Sequence, residues 1–121
     1  PSGGPLVQHA LLSMMEHVKN GKITIERVVE KMAHSPAILF KTEERGFIRE
    51  SYFADLVIVD PKDNYHVNKN NILYKCNWSP FEDYEFSSAI DKTFVNGNIV
   101  YENNQVVDGT LGMRLSFNPS L

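Results

Sequence analysis

The feature that most constrains this chain is a change in the spacing of its apolar residues at Gly46. From Leu6 to Lys19 the residues Leu6, Val7, Ala10, Leu11, Met14, Met15 and Val18 recur at spacings of one, three and four. That pattern gathers them on one broad helical face. Gln8, His9, Ser13, Glu16 and His17 fall on the other side, where solvent is expected. Pro5 suits the first helical turn, and Gly21 suits the position just past the end, where a left-handed backbone is needed. A second helix is expected to begin at Thr24, whose hydroxyl can accept from a free amide in the first turn, with Ile23 and Val28 at hydrophobic-staple spacing. Val28, Val29, Met32 and Ala33 would form its buried stripe. Ser35-Pro36 reads as a fresh cap followed by proline at the first helical position, setting apart a short third helix at Ala37 to Phe40.

Beyond Gly46 the apolar residues come in short, β-branched runs bounded by turn formers, as strands do. Phe47-Ile48 and Ala54 to Asp60 are two such runs, and Pro61 stops the second. Phe94 to Tyr101 contains Asn96-Gly97, the pair that type I′ hairpins favour because both central positions need positive φ. Tyr101 to Val107 repeats the pattern with Asn103-Asn104. Between Lys62 and Ser88 lie Asn68, Asn70, Asn71, Asn77, Pro80 and several aromatics without clear period, an ordered excursion over the sheet. A structureless stretch of that length inside a compact unit is uncommon unless it packs on something or serves a function. The chain is therefore expected to be α+β, helical over 1–45 and β over 46–121.

Composition narrows the function classes. With 42% hydrophobic and 22% charged residues the chain can bury a core, and its net charge of −3 comes from interspersed signs with no basic run able to track a phosphate backbone. Nucleic acid is not an expected partner. Apolar runs such as Leu56 to Val59 fall far short of the roughly 20 residues a membrane-spanning helix needs, and no charged-then-apolar leader opens the sequence. A lone cysteine, Cys76, cannot form an internal disulfide and fits a reducing, cytoplasmic setting. Pro1-Ser2-Gly3-Gly4-Pro5 reads as the middle of a loop rather than a native start.

Few residues are arranged for chemistry. His9 and His17 are eight positions apart on one helix, about 12 Å along the axis at 1.5 Å per residue, too far to share an ion. His34 and His66 belong to no ligand spacing, so no metal-binding residue is assigned. Cys76 with His66 as a base would make a nucleophile, but a lone cysteine without a helix start beside it more often packs as a small apolar residue. Trp78 and Phe81 read as anchors for the excursion. Asp55 and Asp60, five apart on a strand, point to opposite faces and suit turn capping better than a shared substrate. Ser2-Gly3-Gly4 ahead of a helix is the one local feature with a clear use, since exposed amides there can meet a carboxylate or phosphate. The bland reading of the same residues is a flexible end.

Three segments carry a resemblance. Ala54-Asp55-Leu56-Val57-Ile58-Val59-Asp60-Pro61, then Lys75-Cys76-Asn77-Trp78-Ser79-Pro80-Phe81-Glu82, then Thr93 to Tyr101 follow one another as in the tail of dihydroorotases. The first and last are shared by cyclic amidohydrolases generally, hydantoinases and allantoinases included. The middle one resembles the dihydroorotase pattern K-C-G-W-S-P-F-E, with Asn77 in place of the glycine. Upstream, Pro1 to Gln8 resembles the segment after the eighth barrel strand, and Ser35 to Phe40 the family's N-P-A-x-I-F helix.

The resemblance implies the last helices of a (β/α)8 barrel followed by strands of a small composite β-sandwich domain. It implies a parent enzyme that reversibly hydrolyses the cyclic amide of dihydroorotate, using zinc held by histidines, a carboxylated lysine and an aspartate. Those ligands would precede Pro1, so no catalytic residue is assigned here and this piece alone is expected to be inactive. The family's P-F-G substrate loop aligns with Pro1-Ser2-Gly3, which makes Ser2 and Gly3 the substrate-binding candidates. Sheet edges and a helix face left uncovered would favour a homo-oligomer. Another cyclic amidohydrolase, or a non-catalytic dihydroorotase-like scaffold subunit, remains an alternative.

Overall fold

A computed structural model of the chain describes residues 3–109 and 112–118. Two compact units emerge, each assembled from two stretches of sequence. One holds the chain up to Ile23 together with Val59–Ile90; the other holds Thr24–Ile58 and the chain from Asp91 onward. Among the described residues no helix is long and apolar enough to cross a membrane.

In the first unit a 3-10 turn, Val7–His9, runs into helix α1, Ala10–Lys19. The helix ends where the sequence indicates: Gly21 has φ 66°, Gly21 N–H donates to Val18 O and Lys22 N–H to His17 O, both at 2.9 Å. That pair of bonds satisfies carbonyls the last turn leaves open. The second stretch supplies strands β2, Tyr65–His66, and β3, Glu85–Phe86, antiparallel with Tyr65 opposite Phe86. Leu12 of α1 closes the core with Val67, Ile72 and Phe86, and Tyr65, Tyr74, Phe81 and Ile90 pack around them.

One expectation about α1 is overturned. His9, assigned to the solvent face, is fully buried, whereas Val7 of the expected apolar face is 90% exposed. The 3-10 turn is the cause, because at 3.0 residues per turn its side chains do not continue the helical stripe. The His9 ring sits within 5.9–6.2 Å of the Tyr65, Tyr74, Phe81 and Phe86 rings. Its Nδ1 lies 3.1 Å from Ser79 Oγ. At the other end of α1, Glu16 accepts both N–H and Oγ–H of Ser87 at 2.6 Å, and these bonds hold its carboxyl below the ordinary range.

In the second unit Thr24 caps helix α2, Ile25–Val29, accepting Arg27 N–H at 3.3 Å. The expected break at Ser35-Pro36 does not occur. A π-helical turn, Glu30–His34, joins α2 directly to α3, Ser35–Leu39, and Ser35 itself is helical at φ −62°, ψ −42°. Proline can neither donate to the carbonyl four residues back nor tolerate its approach. The wider turn before Pro36, in which Ser35 N–H reaches Glu30 O, absorbs that conflict without ending the helix. The expected stripe is also narrower: Val28 is buried, but Val29 and Met32 are half-exposed.

Gly46 governs how this helix meets the chain that follows it. It has φ 78°, and a Cβ there would overlap the Ala37 Cβ and lie 2.9 Å from Ala33 O. Phe47-Ile48 forms no strand, correcting the sequence reading. Phe47 stacks on His34 at 4.3 Å and carries the Arg49 guanidinium 4.5 Å above its ring, while Ile48 stays exposed.

Strands β1, Leu56–Asp60, β4, Ala89–Val95, β5, Asn98–Glu102, and β6, Gln105–Val106, hydrogen-bond in the order β1-β4-β5-β6. Asn96 and Gly97 (φ 51° and 80°) make the β4-β5 turn, and Asn103 and Asn104 (φ 51° and 59°) make the β5-β6 turn. The first turn is tied down from outside the hairpin. Arg45, buried, pairs with Asp55, donates to Asn96 Oδ1 at 2.9 Å, and lies 4.2 Å over Phe53. Asp55 in turn accepts Asn96 N–H at 2.8 Å, the turn-capping role expected of it. Residues 116–118 run beside 41–43, with Thr42 bridged to Phe117.

Two outcomes test this account. Gly46→Ala combines backbone strain with overlap and is expected to cost about 2–4 kcal/mol in urea denaturation; a loss below about 0.5 kcal/mol would contradict the close approach. Burial holds His9 below its ordinary pKa of 6.5. Between the depressed value and 6.5 the unfolded chain binds more protons than the folded one, so the full contribution above 6.5 is lost as pH falls through that window. The melting temperature is expected to drop between about pH 7.5 and pH 5.5, and His9→Gln to flatten that drop. An unchanged slope in the variant would place the acid sensitivity elsewhere.

Candidate functional site

The candidate site begins with residues that have almost no side chains. Gly3 and Gly4 are both exposed, and Gly3 sits at φ 79°, a region where a Cβ is strained although one built there would meet nothing within 4 Å. Backbone conformation, not crowding, therefore favours glycine at this point. Ser2, the other candidate, lies outside the described residues. An exposed glycine segment of this kind can offer peptide N–H and C=O groups to the polar edge of a ring, but it holds no acid or base.

Just downstream of the segment the chain is bonded to a distant stretch of sequence. Gln8 Nε2 donates to Asn71 O at 2.6 Å, Gln8 Oε1 accepts Leu73 N–H at 2.9 Å, and Gln8 N–H donates to Tyr74 Oη at 2.7 Å. His9, next along, is locked among four rings and against Ser79. Ser79 Oγ also accepts Phe81 N–H at 3.2 Å, so the Ser79-Pro80-Phe81 turn and the root of the glycine segment share one polar contact. The same burial that depresses His9 raises the Tyr65 hydroxyl above its ordinary value.

Sequence reasoning named Gly3 but missed Gln8 and His9. Both are polar residues at positions that a helical period assigns to water. The available signal was an asparagine-rich stretch without strand or helix periodicity, most of whose peptide groups need partners other than a ladder; the structure gives it only the short β2–β3 pair.

The remaining expectations divide. Asp60 Oδ1 accepts Lys62 N–H at 2.8 Å, a turn cap. Cys76 is exposed rather than packed, and Trp78 is half-exposed and so is not a buried anchor, whereas Phe81 packs on the core as expected. The block turns outward at Asn77, which takes φ 54°, leaving Cys76 and Trp78 on the surface while Ser79 is buried. Among the described residues no three His, Cys, Asp or Glu side chains stand together in a way that could hold a metal ion. Zinc therefore does not fit the described residues of this chain.

Comparison with known proteins places this arrangement. The profile of the amidohydrolase family matches residues 4–100. A dihydroorotase of Pyrococcus horikoshii is 30% identical over 114 residues, 94% of this chain and 27% of that protein. Among solved structures, a D-hydantoinase superposes with a TM-score of 0.79 at 22% identity, over 88% of this chain and 23% of its own, a likeness of fold. The L-hydantoinase (dihydropyrimidinase) of Arthrobacter aurescens gives a TM-score of 0.66 at 32% identity, over 74% of this chain and 20% of its own. The chain thus spans about a quarter of the length of the curated relative it matches. With most of its residues inside the family profile and its fold shared with solved hydantoinases, the chain belongs to the amidohydrolase family.

Proposed function

We propose that this chain is the C-terminal part of a dihydroorotase, a hydrolase that reversibly adds water across the cyclic amide of dihydroorotate to give N-carbamoyl-aspartate in pyrimidine biosynthesis. The observation that carries the reading is the Ser79–His9 contact. It joins the block most characteristic of dihydroorotases, Lys75 to Glu82, to the root of the segment that resembles their substrate loop. In this reading 1–45 ends a (β/α)8 barrel and 46–121 belongs to a composite β-sandwich. Peptide groups of Ser2 and Gly3 hold the substrate ring by hydrogen bonds, which orients the amide for attack. Zinc would be held by residues of the parent protein outside this chain, where it would supply Lewis acidity for the hydrolysis. This chain alone has no turnover.

The hydantoinase reading draws on the likeness to the Arthrobacter aurescens enzyme, and the two predict different preferences. The full-length polypeptide is expected to favour dihydroorotate over hydantoins by about 100-fold or more in kcat/KM, since a polar group without its partner in the pocket is costly. Preference for a hydantoin would shift the assignment to that branch, and no turnover of either would shift it to a scaffold subunit.

The protein is further proposed to be cytoplasmic and homo-oligomeric, with neither nucleic acid nor membrane as a partner. Ile38, Leu39 and Phe40 are 67%, 74% and 63% exposed in sequence, an apolar run that water does not favour. Sedimentation of the purified chain is expected to give a mass above 13.8 kDa, and a stable monomer at high concentration would remove that part of the proposal.

A further inference from the structure

We infer that Gln8 is a positioning residue for the substrate loop: it latches the Gly3-Gly4 segment to Asn71, Leu73 and Tyr74 and so sets where the loop's peptide groups meet the substrate. This deepens the reading above and rests on it. Gly3 and Gly4 are exposed, and the nearest heavy atom a Cβ at Gly4 would meet is Leu6 Cγ, at 3.9 Å. Leu6 is itself 46% exposed and Val7 90% exposed. Of the side chains between Gly3 and Gln8 only that of Pro5 is partly covered, so they give the loop little to hold it. Among the described residues the first one bonded to a distant part of the chain is Gln8, from which the loop inherits its placement.

The latch is specific to a carboxamide. One end donates to a carbonyl, Asn71 O, and the other accepts from an amide, Leu73 N–H, while the backbone N–H meets the Tyr74 hydroxyl. A carboxylate could still accept from Leu73 but would set its second oxygen against the Asn71 carbonyl, where no proton is available. Asparagine is one methylene shorter and cannot span the same pair without moving the turn. Gln8 touches no reacting atom in this account. Its effect is on how often the loop is correctly placed when substrate arrives, so it acts on KM more than on kcat.

The test compares Gln8→Ala and Gln8→Glu with Glu16→Gln in the metal-loaded full-length polypeptide. Glu16 stabilises the same unit through Ser87, away from the loop, and reports general loosening. Both Gln8 variants are expected to raise the KM for dihydroorotate by about tenfold with kcat within about threefold, and Glu16→Gln to lower the melting temperature with KM unchanged. Amide exchange at Gln8 and His9, whose N–H groups donate to Tyr74 Oη and Leu6 O, provides a readout independent of substrate. It is expected to quicken by about tenfold in Gln8→Ala and not in Glu16→Gln. If the wild type turns over neither dihydroorotate nor hydantoins, the functional reading fails and the exchange comparison alone decides the latch. Wild-type KM in Gln8→Ala, or in the inactive case wild-type exchange, overturns it.

Discussion

Peptide groups that lie outside any ladder have to find partners, and between Asp60 and Ser88 side chains supply many of them. Gln8 serves Asn71 and Leu73, Glu16 serves Ser87, and Ser79 serves Phe81. Asn71 accepts Asn68 N–H and donates to His66 O, while Asn68 accepts Asn70 N–H. The asparagines are there because a short carboxamide can imitate a turn of backbone. A buried peptide group left without a partner costs about 1–3 kcal/mol, so these contacts decide whether the stretch can pack at all. Once it packs, Val67, Ile72 and Phe86 reach Leu12 and a core exists.

The second unit solves a different problem. Its hairpin turn Asn96-Gly97 is held by a buried guanidinium that has a carboxylate, a carboxamide and an aromatic face around it. Burying Arg45 is tolerable because Asp55 and Asn96 satisfy it, and Asp55 also caps the turn it helps to place. Gly97 N–H reaches Ala54 O at 3.0 Å, so the approach to β1 and the tip of the hairpin share both backbone and side-chain bonds. Gly46, beside Arg45 in sequence, permits the close approach to Ala33 and Ala37 from which this cluster starts.

What was legible in the sequence was what local chemistry decides. The end of α1 at Gly21, the Thr24 cap and the Asn96-Gly97 turn each follow from residues within five positions of one another, and the structure has them. What was illegible depends on partners far away in sequence. His9 reads as a surface residue until Ser79, seventy positions on, is known to face it. Phe47-Ile48 has strand-like residues, yet His34 and Arg49 claim the ring. Ser35-Pro36 is a sound local signal overruled by a π-helical turn. The site followed the same division: Gly3 could be named by resemblance, whereas the residue that fixes it could not, because nothing near Gln8 announces Asn71.

That division bears on how a loop with so little side chain can take part in binding. Ordering the backbone of one residue costs about 1–2 kcal/mol, and any part left undone in the free protein is charged against affinity when the ligand arrives. Glycine makes the debt larger, since it has more conformations to lose. One remedy that keeps the exposed peptide groups is to fix the chain immediately beyond them. Here the hydrogen bonds of Gln8 and the buried ring of His9 do so within six residues of Gly3, on the first turn of a helix whose far end Glu16 secures. The freedom that Gly3 requires is thereby confined to the few residues that use it.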